Sequence, residues 1–222
     1  EKYKKVFPKP EINLLVLSRK KEKDFFKSLG LPTTNYIEIN SIEEIIKNDN
    51  LIPGLLKGDF GYDGLSTYEL NSLDDLKKYK IKFDNNFILE KKVDLKKEIS
   101  VIATRYLDGK INIFEPFENK HKAKILRETI VPADISQDVY EKAKDFTKKI
   151  LNNHRYIGTM AVEFFIDKEG QLLVNESASR PHNSGWITTH ASNSSQFSQH
   201  VRACCNLEFV PLKKIKRGKM IN

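Results

Sequence analysis

Met160-Ala161-Val162-Glu163-Phe164-Phe165-Ile166, Asp167-Lys168-Glu169-Gly170 and Gln171-Leu172-Leu173-Val174-Asn175-Glu176 read as two strands and the turn between them. Apolar residues crowd both strands, and the charged, glycine-ended turn has hairpin chemistry. With residues 167 to 170 as the loop, Ile166 faces Gln171, Glu163 faces Val174 and Glu176 faces Ala161. Side chains alternate with a period of two, which makes Glu163 and Glu176 diagonal neighbours on one face. Two carboxylates on a half-buried sheet repel, and each resists ionisation unless a cation lies between them. Hard oxygen ligands at that spacing suit magnesium held together with water or phosphate oxygens. A solvent-exposed sheet face, where acids are ordinary, accounts for the spacing equally well. A loop longer by one residue would turn the two acids to opposite faces.

Ser177-Ala178-Ser179-Arg180-Pro181-His182-Asn183-Ser184-Gly185 follows the second acid, with Ala178 and Pro181 as its only apolar residues. A polar loop beside paired carboxylates that offers a guanidinium, an imidazole and an amide is a candidate site for an anionic ligand. Upstream, Glu98 to Tyr106 and Lys110 to Phe114 flank Asp108-Gly109, a second hairpin signal. Gln137 to Asn152 carries Val139, Ala143, Phe146 and Ile150 in one helical stripe. A last helix near Gln196 to Asn206 is expected to turn Phe197, Val201 and Cys204 inward.

The first half holds a smaller set of elements. Arg19 to Leu29 reads as a helix ended by Gly30 and Pro32, and Ser41 caps another through Lys47. Tyr36 to Ile39, Leu51 to Lys57 and Phe87 to Val93 read as strands, with a short helix over Leu73 to Tyr79. Gly61-Tyr62-Asp63-Gly64 follows the strand that bears Lys57, and glycines let backbone N–H groups approach phosphate oxygens. The GK[ST] and GxGxxG patterns are absent, and a plain turn fits this loop as well. Runs of strands with flanking helices predict an α+β fold.

Composition removes whole classes. Thirteen Phe and eight Tyr in 222 residues supply a core, which excludes wholesale disorder. The apolar run Leu14 to Leu17 is far too short to cross a bilayer, so no membrane partner is expected. Cys204 and Cys205 are adjacent and form no disulfide framework, which fits a reducing, cytoplasmic setting. The net charge of +8 suggests nucleic acid until it is located. Residues 1–30 hold nine basic and four acidic residues, and residues 211–222 hold five basic and none acidic, so the body is nearly neutral. No nucleic-acid partner is therefore expected. The chain starts with Glu1 and stops at Lys219-Met220-Ile221-Asn222, which leads us to expect a piece of something larger.

Several strings occur together and in order: Gly61 to Gly64, Ile125-Leu126-Arg127-Glu128-Thr129-Ile130-Val131-Pro132-Ala133, Ala161 to Phe165, Val174-Asn175-Glu176, Arg180-Pro181-His182-Asn183-Ser184-Gly185, and Ser195-Gln196-Phe197-Ser198-Gln199-His200. With them the chain resembles the 5-(carboxyamino)imidazole ribonucleotide synthetases, ATP-grasp ligases of purine biosynthesis, from about Val6 to Asn222. The resemblance implies an ATP-grasp fold in which two α+β subdomains grip ATP. Residues 1–32 would end an N-terminal α/β domain that is otherwise missing, 33–93 would form the lid, and 94–222 the catalytic subdomain. It implies that Arg19 and Lys57 contact ATP phosphates under a loop that includes Gly61, Tyr62, Asp63 and Gly64. Glu90 with Lys91, Lys92 and Val93 would read adenine, Glu98 would hold the ribose, and His121 would touch the nucleotide. Glu163 and Glu176 would bind magnesium with help from Asn175. Arg180, His182 and Asn183 would lie where bicarbonate, the transferred phosphate and aminoimidazole ribonucleotide meet, with Arg180 and Lys57 as catalytic groups. A homodimer is also implied.

The chain departs from the family pattern after Gly64. Leu65, Ser66 and Thr67 stand where a basic residue, Gly and Gln are usual; Lys57 lies one residue nearer the loop, and one residue is absent before Trp186. Leu65 cannot donate to a phosphate. A ligase using another acceptor, or a nucleotide-binding remnant without turnover, are the alternative readings. A basic RNA-binding module is a third.

Overall fold

The computed structural model describes residues 5–59, 66–83, 86–213 and 216–222. The loop positions Gly61, Tyr62, Asp63, Gly64 and Leu65 lie outside the described residues. Helix α1 (Pro10–Val16) opens with a proline in its first turn, where the missing N–H costs nothing. Helix α2 (Arg19–Ser28) is capped by the Ser18 hydroxyl. It stops where Gly30 takes a left-handed φ of 66°, as a helix C-terminus favours.

A four-stranded antiparallel sheet follows. Its strands are β1 (Tyr36–Ile39), β2 (Gly54–Gly58), β3 (Thr67–Leu70) and β4 (Phe87–Lys91), in the order β1-β4-β2-β3. Helix α3 (Ile42–Lys47), capped by Ser41, closes a separate core of Ile39, Ile45, Leu56, Leu70 and Leu89. Leu73–Lys78 forms a 3-10 turn rather than an α-helix.

The remaining strands make one seven-stranded sheet. They are β5 (Leu95–Arg105), β6 (Ile111–Ile113), β7 (Phe117–Lys122), β8 (Ile125–Val131), β9 (Gly158–Asp167), β10 (Leu172–Ala178) and β11 (Gly218–Ile221). Their order is β10-β9-β5-β7-β8-β11, with β6 paired to β5. On one face Val101, Val162 and Phe164 pack against Val139, Ala143 and Ile150 of helix α4 (Gln137–Asn153) and Phe26 of α2. On the other, Ile102 and Ala161 meet Ile187 and Ala191. That second face also carries helices α5 (Thr188–Ala191) and α6 (Gln196–Cys204). Among the described residues no helix is long and apolar enough to cross a membrane.

Two sequence expectations are corrected. The β9–β10 turn is one residue shorter than expected: Asp167 N–H donates to the Gln171 carbonyl, and Gly170 takes a φ of 84°. Three-residue hairpin loops place glycine at that left-handed position. Leu172 therefore pairs with Ile166, and an irregularity between Val174 and Glu176 makes Asn175 the extra residue. The two shifts bring Glu176 directly opposite Glu163 instead of diagonal to it. Helix α6 is also rotated from the expected face. Val201 is 54% exposed, while Gln196, Gln199 and Ala203 are buried. The Gln199 amide accepts from Tyr106 and Asn112 and donates to the Val210 carbonyl, so its polar groups are satisfied inside.

Candidate functional site

Hairpin pairing sets Ser100, Glu163 and Glu176 in a row across β5, β9 and β10. Neither carboxylate is left to repel the other unaided. Glu176 is ion-paired with Arg19 from the first turn of α2. Glu163 Oε1 lies 2.9 Å from His182 Nε2. Burial pushes the Glu176 carboxyl up, but Arg19 and Lys57 outweigh it and hold the group below its ordinary range. The Asn175 side chain is buried, and its Oδ1 has no hydrogen-bond partner among the described residues. Two opposed carboxylates, with an amide oxygen on the residue next to one of them, offer hard-oxygen donors of the kind that suits magnesium. Among the described residues no group of three or more His, Cys, Asp or Glu is placed to hold a metal alone, so remaining ligands would come from water or phosphate.

Helix α2 supplies more than Arg19. With Phe26 buried, residues 19, 22, 23 and 26 form one helical face, and this directs Glu22 and Lys23 inward. Glu22 accepts from both the backbone N–H (2.7 Å) and the hydroxyl (2.6 Å) of Ser177, next to Glu176. Burial drives its carboxyl up to about 7, with the nearby Glu176 charge adding to the rise and Ser177 opposing it. Lys23 donates to the hydroxyls of Thr33 (2.9 Å) and Thr34 (3.1 Å) and lies 3.6 Å from Glu90. Desolvation pulls this ammonium down to about 8.

Lys57 projects from β2 and donates to Glu90 Oε2 at 3.1 Å. Burial disfavours the Glu90 carboxylate, yet Lys57 and Lys23 hold it down to about 2. Its side chain is thus spent inside the sheet, anchoring Lys57. Of the backbone beside it, Lys91 N–H donates to Asn35 and Lys92 N–H to Pro53; Val93 follows the strand end. Glu98 and His121 meet on the same sheet, Oε2 to Nδ1 at 2.6 Å, and that bond raises the imidazole above its ordinary value.

Arg19, Asp59, Glu176, Arg180 and His182 line a cavity of about 450 Å³. Arg180 is exposed and donates to the carbonyl of Pro181 at 3.0 Å. Across the same loop, Asn183, Trp186, Lys216, Arg217 and Lys219 line a second cavity of about 660 Å³. The structure thus gathers Arg19, Asn175, Glu176, Glu163, Arg180 and His182, with Lys57 held close by through Glu90. Asn183 opens onto the second cavity. The sequence reading missed Glu22, Lys23 and the basic residues 216, 217 and 219. The helical spacing from Phe26 was the signal for the first two; nothing local marks the others.

Residues 24–197 match the ATP-grasp domain model. The chain belongs to the ATP-grasp family. This ATP-grasp chain is 34% identical over 216 residues to the N5-carboxyaminoimidazole ribonucleotide synthase of Bacillus subtilis, covering 96% of this chain and 57% of that protein. Similar folds are found in N5-carboxyaminoimidazole synthetase from Staphylococcus aureus complexed with ADP (TM-score 0.88, 36% identity, 94% of this chain and 57% of that one). The Aspergillus clavatus carboxyaminoimidazole ribonucleotide synthase complexed with ATP gives a TM-score of 0.90 at 26% identity, over 98% of this chain and 59% of that one. The ATP-grasp chain thus spans 57–59% of the length of these three relatives.

Proposed function

We propose that this chain forms the ATP site of a carbon–nitrogen ligase that carboxylates 5-aminoimidazole ribonucleotide. A bicarbonate oxygen attacks the γ-phosphorus of ATP and the bond to the β-phosphate oxygen breaks, giving carboxyphosphate and ADP. The exocyclic amine of the ribonucleotide then attacks the carboxyl carbon, and inorganic phosphate leaves as the amine loses its proton. The observation that carries this reading is the facing pair Glu163 and Glu176, with the buried Asn175 amide next to Glu176 in the chain and Arg19 and Arg180 on the wall of the cavity that Glu176 lines. The names of the similar proteins supply the acceptor.

Glu163, Glu176 and Asn175 would hold magnesium, which when bound neutralises phosphate charge. Arg19 and Lys57 point fixed positive charge at the phosphates, and the Glu90 anchor limits the wandering of Lys57. Glu98 and His121 hold one another at the nucleotide edge, with Glu90 to Val93 as the adenine hinge. Residues 33–93 act as the lid over 94–222. Arg180, exposed on the cavity wall, offers its guanidinium donors to the carboxyphosphate anion. Asn183 and the basic rim of the larger cavity fit a ribonucleotide phosphate. A homodimer in the cytoplasm completes the reading.

The full chain with ATP, magnesium, bicarbonate and aminoimidazole ribonucleotide should release ADP only when the ribonucleotide is present. ADP release that ignores it would remove the acceptor assignment.

A further inference from the structure

Two lysines from different elements share one buried carboxylate. Lys57 Nζ, from β2, donates to Glu90 Oε2 at 3.1 Å, and Lys23 Nζ, from α2, lies 3.6 Å from Glu90 Oε1. Their access to solvent differs. Lys57 keeps 13% of its side chain exposed, against 3% for Lys23 and 2% for Glu90. A ligand can therefore meet Lys57 but not Lys23.

The bonds around Lys23 have one direction only. An ammonium donates and never accepts, so the Thr33 and Thr34 hydroxyls accept from Lys23 and direct their own protons elsewhere. Thr33 donates to the Val174 carbonyl at 2.7 Å, and Thr34 to Glu90 Oε2 at 3.1 Å. Lys23 is thus pinned between β10 and Glu90. Desolvation pulls its ammonium down only to about 8, so it is charged at pH 7. A buried charge is costly unless an opposite charge compensates it, and among the described residues Glu90 is the carboxylate within 4 Å of Lys23. Two ammonium groups on one carboxylate leave one positive charge over, and burial decides that Lys57 is the lysine able to lend it. The Lys57 charge already acts on Glu176, which lines the cavity of about 450 Å³ with Arg19 and Arg180.

We propose that Lys23 is a positioning residue that acts through Glu90: it supplies the counter-charge of that carboxylate and so leaves the Lys57 ammonium uncancelled for a phosphate chain. Lys23 never meets the nucleotide, yet it decides how strongly a nucleoside diphosphate is favoured over the bare nucleoside. This rests on the reading of Lys57 as a phosphate contact of the ATP site, and not on the identity of the acceptor.

The test is titration calorimetry of the full chain at pH 7 with magnesium, comparing ADP with uncharged adenosine. Lys23→Met should weaken ADP by about tenfold and leave adenosine unchanged, because only the phosphates feel the missing charge. Adding Glu90→Gln removes the carboxylate that would then cancel Lys57, keeps the shape of the side chain, and should recover the ADP affinity. If Lys23→Met does not fold, the double variant, which loses both buried charges together, is compared with the wild type, and similar ADP affinities are expected. The proposal is overturned if Lys23→Met binds ADP as tightly as the wild type, or loses ADP and adenosine alike. It is also overturned if the double variant keeps the loss, or binds ADP about tenfold tighter than the wild type, since Glu90 would then have been cancelling Lys57 throughout. A wild type that binds neither ligand would instead remove the ATP-site reading and this role with it. Absent ribonucleotide-dependent turnover with the ADP pattern as expected would remove the acceptor alone.

Discussion

Glu22 is 1% exposed, and its carboxyl holds Ser177, the residue after Glu176. Its folded value near 7 lies above the ordinary 4.5. Between those two values the folded chain keeps a proton that the unfolded chain has lost, so this group's contribution to stability falls as pH rises. Glu22→Gln retains an oxygen that accepts both Ser177 bonds and does not titrate. Thermal melts from pH 5 to pH 8 should therefore show the substituted chain gaining on the wild type as pH rises, and a parallel pair of profiles would contradict the burial argument. At this scale residue type alone marked Glu163, Glu176, Arg180 and His182 as candidates, and the structure brings them together. It was not readable for Glu22 and Lys23, because Arg19-Lys20-Lys21-Glu22-Lys23 looks like a solvated helix face until Phe26 shows which side is inside.

Elements are governed by register and by which face is buried. The β9–β10 hairpin was recognisable from its strands and turn, but its pairing was set by the left-handed Gly170 and the extra Asn175. A change of one residue in a turn moves every later side chain to the other face, so turn geometry outweighs strand pattern here. Helix α6 shows the opposite failure. Of its expected inward stripe Val201 is exposed and Phe197 and Cys204 are half-buried, while Gln196 and Gln199 are buried and hydrogen-bonded inside. Gly185 belongs to the same unit: a Cβ there would run into the Gln196 amide that clamps His182. Because that amide is bonded twice and fully buried, it has no room to yield. Gly185→Ala should cost about 1–3 kcal/mol in denaturant unfolding, as overpacking does. The unfolding midpoint should fall with the slope unchanged.

Across the whole molecule, two sheets are joined through α2 and the segment after it. Lys23 reaches Thr33, Thr34 and Glu90, while Val174 N–H donates to the Pro32 carbonyl at 2.8 Å. Lys23→Met would leave Glu90 with one cation fewer in a buried position. Removing one partner of a buried ion pair costs about 3–5 kcal/mol, and urea unfolding at pH 7 should show a loss of that order. A ligand that binds only the folded chain raises stability by mass action, about 2.7 kcal/mol at a hundred times its Kd. Thermal melts with magnesium and ADP should rise accordingly, and Glu176→Gln should shrink that rise. The sequence alone determined the α+β class, most of the strands and helices, and the residue types of the site. These follow from local periodicity, caps and turns, which a one-dimensional pattern records. Only the tertiary structure decided that Glu163 faces Glu176, that Glu90 anchors Lys57, and that Lys23 meets the same carboxylate from α2. Those outcomes depend on pairing between segments far apart in the chain, where each buried polar group must find a partner that its own neighbourhood does not name.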